Sequence, residues 1–385
     1  MLRACAAYAY SLPCADEAEE DDDAGQEHAA AKEIHARAVM THPRGIIHNV
    51  VVTLHAHPQC GSIQRNGMDA LFAIVHVPRV GRWCALPVVK GGGVKLLMDA
   101  LRSDPELLDE EMVAPAYFTL RALFQHVPLV ADMVDEEFLY LATPALRTIT
   151  DRGSSKVGRD WVMWANVMGA LHAYLGSLAK ADATGVNVAS GRLNVARATG
   201  VIELAMYGFR KHADIVEETK QYSEFATDFY ARENLYEALC YACLVLHLMC
   251  LFDARESDSY TTLLPHEQVA SEGAIELIVA AILGYVAFRV PDEAAEGARE
   301  HGDDFLVNSV GHLLPHLLRF DSIRESEERD LDSVGAAMHT LVGWPSCPAR
   351  TKRDARVVLS ILSGDGDADV TNSSSSSDSD SGSDQ

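Results

Sequence analysis

Cysteine and histidine side chains recur at short intervals in one apolar segment of the chain, at Cys240, Cys243, His247 and Cys250. Thiolate and imidazole groups are the usual ligands of structural zinc. These spacings place all four side chains on one face of one helix. Because a helix rises 1.5 Å per residue, the outer two cysteines would lie about 15 Å apart, whereas zinc needs every ligand within about 2.3 Å. The spacing therefore favours small buried side chains, and a metal site would need ligands from another element.

Three other motifs combine residue types that bind metals or phosphate. The segment His55–Cys60 (HAHPQC) contains two histidines and a cysteine that could bind a metal, but a helix end followed by a proline turn also accounts for it. Gly91–Gly93 lacks the spacing of a phosphate-binding loop and fits a turn before a helix. His312 and His316 are four residues apart without the glutamate of a zinc-protease motif, and Pro315 disturbs their helix. Each motif thus has a structural interpretation that competes with the chemical one.

The motifs of common enzyme classes are missing from the sequence. We find neither a nucleophile elbow nor a dinucleotide-binding glycine fingerprint. We therefore predict a protein that is not an enzyme and needs no cofactor and no metal. The alternative is a metal-binding or hydrolytic enzyme on an irregular all-helical fold, with Cys240, Cys243 and His247 as its candidate ligands.

The last fifteen residues (TNSSSSSDSDSGSDQ) carry the most specific local chemistry. An aspartate follows three residues after Ser375, Ser377 and Ser381, a pattern that resembles the consensus of acidophilic casein kinases. Each phosphate would add a charge of about −1.5 to −2. We predict phosphorylation at these serines, with a purely solubilising tail as the alternative.

Charge is distributed unevenly along the 385 residues, whose formal net charge is −24. Residues 1–33 carry a net −7, residues 364–385 a net −6, and the remainder −11. Such acidity argues against nucleic-acid binding, which depends on basic side chains that displace counterions from phosphate. Residues 371–385 have no apolar side chains to bury, and blocks of like charge usually remain solvated, so we predict that both acidic ends are disordered.

The cellular compartment is predicted from cysteine content and from apolar runs. Eight cysteines in a chain of this length do not indicate a disulfide framework. No uninterrupted apolar run approaches 18 residues, so we predict no membrane span. We expect a cytoplasmic or nuclear protein, although the weakly apolar first residues leave a signal peptide as an alternative.

A helix bounded by glycine and proline recurs in the middle of the chain. In GGGVKLLMDALRSDP, from Gly91 to Pro105, the apolar residues follow helical spacing. Similar segments begin at Gly45, Gly200 and Gly273, and residues 138–149 occupy a comparable place without the glycine. For the first of these a strand at 50–52 is the alternative. Intervals of about 40–47 residues are typical of helical repeats.

A longer, almost wholly apolar segment follows each of these helices. We predict helices at about 60–76, 109–126, 158–178, 229–252 and 304–320. A helix that is apolar on most faces must be covered on most sides. Stacked repeats provide this cover, because neighbouring units bury one continuous core.

The segments HPQCGSIQRNGMDALFAI and VVKGGGVKLLMDALRSDPE together resemble armadillo repeats. The resemblance covers residues 44–345 and is strongest over 44–126. It implies an all-α superhelix, or solenoid, whose long third helices line a concave groove that binds proteins. We thus predict an armadillo-like domain over 34–363 with about five units, irregular after 179, between tails at 1–33 and 364–385. Insertions are expected at about 179–196, 212–228 and 253–268.

The groove residues implied by this resemblance lie on one helix. Trp161, Trp164 and Asn166 are similar to the tryptophan and asparagine ladder of armadillo grooves. Tryptophans at helical spacing are also typical of a core, which is the alternative. We predict a non-catalytic scaffold that binds a protein partner, and the acidic body favours a basic partner segment.

Overall fold

The fold is all-α. A computed structural model describes residues 45–76, 81–103, 110–151, 157–182, 192, 195–219, 229–251, 265–289, 300–324, 331–345 and 347–364. Within these ranges the secondary structure is helical and no strand is present. The predicted disordered tails, residues 1–33 and 364–385, lie outside the described residues except for Gly364.

Seventeen α-helices and one π-helix can be assigned in the described ranges. In chain order the α-helices are α1 (Ile46–Ala56), α2 (Gly61–Val75), α3 (Gly81–Lys90), α4 (Gly93–Ser103), α5 (Glu110–His126), α6 (Leu129–Val134), α7 (Glu137–Asp151), α8 (Val157–Asp182), α9 (Val201–Thr219), α10 (Phe229–Leu251), α11 (Pro265–Ser271), α12 (Ala274–Arg289), α13 (Glu300–Asn308), α14 (Leu314–Leu318), α15 (Asp321–Arg324), α16 (Leu331–Gly343) and α17 (Ala349–Ser363). The π-helix, Ser309–Leu313, joins α13 to α14.

The helices pack in two rows. In row A, α1 contacts α4, α4 contacts α7, α7 contacts α9, α9 contacts α12, and α12 contacts α16. In row B, α2 contacts α5, α5 contacts α8, α8 contacts α10, α10 contacts α13, and α13 contacts α17. The rows are joined because α1 packs on α2, α4 on α5, α7 on α8, α9 on α10 and α16 on α17. The row B helices α5, α8 and α10 are therefore covered by row B neighbours on both flanks and by a row A helix.

A turn with one left-handed residue precedes four of the row A helices. Gly92, Gly200 and Gly273 have φ angles of 88°, 86° and 78°, which cost least when the residue has no side chain. The amide of Gly273 donates to the carbonyl of Ala270, and the amide of Leu277 donates to the carbonyl of Gly273. The same backbone thus ends a short helix and starts a row A helix.

Asp135 takes the place of glycine in the turn before α7. Its φ is 50°, although non-glycine residues seldom adopt this conformation. The Tyr174 hydroxyl donates to its carbonyl at 2.9 Å, and Arg192 pairs with Asp132 at 2.9 Å and with the Asp135 carboxylate at 2.8 Å. Side chains from two other segments therefore hold a turn that glycine forms elsewhere.

Replacing Gly273 with alanine should lower the free energy of unfolding by about 1–2 kcal/mol, because the left-handed conformation disfavours a Cβ atom. The space itself is open, since the nearest atom to a new Cβ is Glu276 Oε2 at 3.7 Å. Gly335→Ala is the matched control, because this helical glycine has no neighbour within 4 Å of a new Cβ. It should stabilise by about 0.5–1 kcal/mol. Urea denaturation measures both, and equal shifts would contradict the turn geometry.

The predicted helices agree closely with the observed ones. Residues 50–52 lie in α1, so the helical interpretation is correct and the strand alternative is wrong. The predicted helix at 304–320 is interrupted by the π-helix just before Pro315, as the proline led us to expect. The predicted insertion at 212–228 is wrong in its first part, because α9 runs to Thr219. Most of the other two predicted insertions lies outside the described residues.

α10 is apolar enough to resemble a membrane span. Its segment Asn234–Leu251 is the one stretch, among the described residues, that is long and apolar enough to cross a bilayer. In this fold 67% of that segment is buried, against α8, α9 and α13. Burial on three sides accounts for its apolar character.

Candidate functional site

The three predicted groove residues are buried rather than exposed. Trp161 is 5% exposed, and Trp164 and Asn166 are each 1% exposed. The tryptophan rings pack edge to face with centroids 5.9 Å apart, and α9 approaches Trp164 closely at Gly208. The side-chain nitrogens of all three have no hydrogen-bond partner among the described residues. These side chains are therefore buried among the helices, as the core alternative predicts.

Partly exposed aromatic side chains lie instead along row B. Phe72 of α2 contacts Phe118 of α5, with ring centroids 5.1 Å apart. His76, just beyond α2, meets the Phe118 ring edge-on at 5.6 Å. Aromatic rings that are half-buried and held by neighbours are preferred anchors in protein interfaces. This cluster forms one end of a continuous line of side chains that crosses the row B helices.

Arg121 extends the line from α5 across α8 to α10. Its guanidinium carbon lies 4.4 Å from the Tyr241 ring centroid and 5.9 Å from that of Phe118. Its Nη1 atom lies 3.9 Å from Glu237 Oε1. Gly169 lies on α8, between α5 and α10. A Cβ atom at this position would lie 3.3 Å from both Arg121 Nη1 and Tyr241 Cε2. A glycine at this position therefore allows side chains of two helices to meet over a third.

We call these side chains the row B strip, and it consists of Phe72, Phe118, Arg121, Glu237 and Tyr241. All five are half-buried. Arg121 and Glu237 keep 21% and 18% of their side-chain surface exposed, so the ion pair is partly shielded from water. A cation over an aromatic face contributes about 0.5–2 kcal/mol, depending on how far it is desolvated. The strip is thus a fixed surface of rings and charges that remains open to a ligand.

Electrostatics within the strip follow from this partial burial. Removal from water is the main reason why the pKa of Tyr241 is raised, so its hydroxyl stays protonated. Desolvation lowers the pKa of His76 to about 4, and the charge of Arg121 acts in the same direction. At neutral pH the strip carries one cation, one anion and uncharged rings.

A second group of titratable side chains lies farther along row B. The ring of His247 on α10 lies 5.7 Å from that of His312 and 5.4 Å from that of His316. Burial, followed by the nearby histidines, lowers the pKa of His247 to about 4. The described ranges hold no group of three or more His, Cys, Asp or Glu side chains arranged for a metal ion. His247 and His316 are half-buried, whereas His312 is exposed.

The cysteines of α10 are protected from solvent. Burial raises the pKa of Cys240 and of Cys250 to about 12, and it raises that of Cys243 well above the ordinary value. Asn308 of α13 donates to Cys240 Sγ at 3.1 Å. Neutral thiols in this setting are inert, as small apolar side chains are.

Thiol labelling should distinguish Cys60 from the cysteines of α10. The pKa of Cys60 is lowered, first by its hydrogen bond with Ser62, and the residue is partly exposed. At pH 7.5 we expect Cys60 to react with iodoacetamide at least tenfold faster than Cys240, Cys243 or Cys250, because the thiolate is the nucleophile. Peptide-resolved mass spectrometry measures each rate, and urea should remove the difference. Rapid labelling of Cys243 in the native protein would contradict its burial.

The strip was not predicted from the sequence, although two signals pointed to it. Phe118 and Arg121 are three residues apart, and Glu237 and Tyr241 four apart, so each pair shares a helix face. Gly169 lies inside a strongly apolar helix, where a glycine often marks a close approach. The predicted phosphorylation sites Ser375, Ser377 and Ser381 lie outside the described residues.

Comparison with known proteins adds no family to this picture. No protein-family model matches the chain, and no curated protein matches it.

Proposed function

We propose that the protein is a non-catalytic scaffold, an armadillo-like solenoid whose row B face binds a segment or surface of a protein partner. The observation that carries this proposal is the bridge of Arg121 over Gly169, which joins side chains of separate row B helices into one surface. A surface built across several stacked helices is held in place by their packing.

The solenoid part of the proposal is supported by the order of contacts. Within each row, every helix contacts the next helix of that row in chain order. A short helix, a left-handed turn, a row A helix and a row B helix follow one another in α3–α5, α6–α8 and α11–α13. In a solenoid each unit contacts its neighbours and leaves one face of a row open. The short helices α3, α6, α11 and α15 occupy the place of the first helix in an armadillo unit.

Rigidity is the mechanism of binding in this proposal. The strip side chains are already fixed by contacts with one another. Binding a partner therefore costs little free energy for ordering these side chains. The Phe72 and Phe118 rings would bury apolar partner groups, while Arg121 and Glu237 offer a donor and an acceptor to a peptide backbone or to polar side chains. Both kinds of contact suit a protein ligand and require no reaction.

Charge favours a basic partner segment. The residues between the two acidic ends carry a net −11, and this field would speed the approach of a cationic segment. Raising NaCl from 50 to 300 mM should slow association more than it speeds dissociation, because salt screens long-range attraction. An association rate that does not change with salt would contradict this part of the proposal.

Affinity capture followed by quantitative mass spectrometry tests the binding surface. The full-length protein is compared with the double variant Arg121→Ala/Tyr241→Ala, which removes the centre of the strip. Tyr140→Ala is the matched control, because this tyrosine of row A is 58% exposed and lies outside the strip. Circular dichroism establishes that each variant remains helical.

We expect a captured protein that binds the parent and Tyr140→Ala equally but binds the double variant at least tenfold more weakly. A loss of this size is typical when a central aromatic or arginine anchor is removed. Equal affinity of all three proteins would show that the row B strip is not the binding surface. Turnover of a substrate by the parent would instead favour the enzyme alternative.

A further inference from the structure

α17, the last described helix, carries a basic face in an otherwise acidic protein. Arg350, Arg353 and Arg356 recur every three residues and are exposed. This spacing places the three guanidinium groups along one side of the helix, over an axial length of about 9 Å. The surrounding chain has a formal net charge of −24, so this face differs in sign from the molecule as a whole.

The arginines of this face are only weakly paired. Arg350 and Arg353 keep 59% and 68% of their side-chain surface exposed. Their shared partner is Asp354, whose carboxylate oxygens lie 4.0 Å from Arg350 Nε and 3.7 Å from Arg353 Nε. Exposed ion pairs at such distances contribute little. The face therefore retains most of its capacity to bind carboxylate or phosphate groups.

We propose that this face is the docking surface for the chain's own Ser/Asp-rich tail, residues 365–385. The tail contains six aspartates and no lysine or arginine, so its charge complements that of the arginines. It begins directly after α17, and a tethered segment acts at a high effective concentration even when each contact is weak. The proposal is independent of the row B strip and adds an intramolecular contact to the proposed scaffold.

The geometry of the helix end supports docking on the same helix. Gly364 has a φ of 76°, and its amide donates to the carbonyl of Ile361. A left-handed residue at this position turns the chain away from the helix axis. Arg356 and Arg350 lie about 12 and 21 Å back along the helix from Gly364. Eight extended residues span about 26 Å, so the segment from residue 372 onward reaches all three arginines.

Phosphorylation would strengthen this contact. Ser375, Ser377 and Ser381 fall within the part of the tail that reaches the arginines. Each phosphate would add a charge of about −1.5 to −2 and oxygens that accept paired hydrogen bonds from a guanidinium group. The predicted phosphorylation sites would therefore have a binding surface, the arginine face of α17, within the same chain.

Nuclear magnetic resonance of the ¹⁵N-labelled full-length protein tests the proposal. Tail amide signals are recorded before and after treatment with an acidophilic casein kinase, at 20 and 300 mM NaCl. The docking variant is Arg353→Glu/Arg356→Glu. The matched control, Lys90→Glu/Lys95→Glu, makes the same change of charge at exposed positions on α3 and α4. Both proteins are compared with the parent by circular dichroism.

At 20 mM NaCl we expect the tail signals of the parent and of the control to be broadened and shifted relative to those of the docking variant. Phosphorylation should at least double these shifts, and 300 mM NaCl should reduce them, because salt screens the contact. Identical tail signals in the parent and in the docking variant would overturn the proposal. Shifts that grow with protein concentration would also overturn it, since they would assign the contact to the tail of a second molecule.

Discussion

Replacing Trp164 with alanine should lower the free energy of unfolding by about 3–5 kcal/mol, the range found when a large buried aromatic side chain is removed. Trp164 is 1% exposed and fills the space between α8 and α9. A Cβ atom on Gly208 of α9 would lie 2.9 Å from its ring, so the α9 backbone packs directly on the indole. α9 cannot move inward without disturbing its own row A contacts, and a cavity would remain.

The control is Val162→Ala on the same helix. Val162 is 37% exposed, and its truncation should change stability by no more than about 0.5 kcal/mol. Urea denaturation followed by far-ultraviolet circular dichroism suits both variants, because the loss of a tryptophan does not affect this signal. A Trp164→Ala protein within about 1 kcal/mol of the parent would contradict the close packing of α8 on α9.

Trp164 and Val162 also show which features of the structure could be predicted from the sequence and which could not. Helix ends were predictable, because glycine and proline act locally: the helix predicted at 60–76 is α2, Gly61–Val75. The exposed face of a long helix was not predictable. In α8 apolar residues occupy most positions and almost all faces, so periodicity does not separate the buried Trp164 from the exposed Val162 two residues earlier. For this reason the sequence could not separate a groove position from a core position at Trp161, Trp164 and Asn166, all of which are buried.

The row B strip illustrates the other limit of sequence interpretation. Arg121 and Tyr241 are 120 residues apart, and only the packing of α5 and α10 on opposite flanks of α8 brings them together. A local pattern carries no information about that distance. The turn at Asp135 was missed for a similar reason, since Tyr174 and Arg192 replace a glycine by contacts that are remote in sequence.

Lowering the pH from 7.5 to 5 should destabilise the protein by about 2 kcal/mol through His212 alone. His212 is 1% exposed, and its Nε2 atom lies 3.4 Å from the Tyr236 hydroxyl. α12 closes the site at Gly284, where a Cβ atom would lie 3.0 Å from the His212 ring. Burial among three helices lowers the pKa of His212 to about 4, because a charged imidazolium would lose its hydration there.

The direction of the effect follows from proton binding. In the unfolded chain His212 takes up a proton as the pH falls through about 6.5. In the folded protein it stays neutral until the pH approaches its pKa of about 4. Between these values the unfolded state binds more protons, so stability falls as the pH falls. Burial also lowers the pKa of His247, which adds to the loss in the same direction.

The variant His212→Leu isolates the contribution of this histidine. Leucine has a similar volume and cannot be protonated, so the loss of stability between pH 7.5 and 5 should be smaller than in the parent by about 2 kcal/mol. His339→Leu is the matched control, because His339 is exposed on α16. Its pH profile should follow that of the parent, while carboxylates contribute equally to all three proteins. Parallel profiles for His212→Leu and the parent, measured by urea denaturation, would show that His212 is not buried as a neutral group.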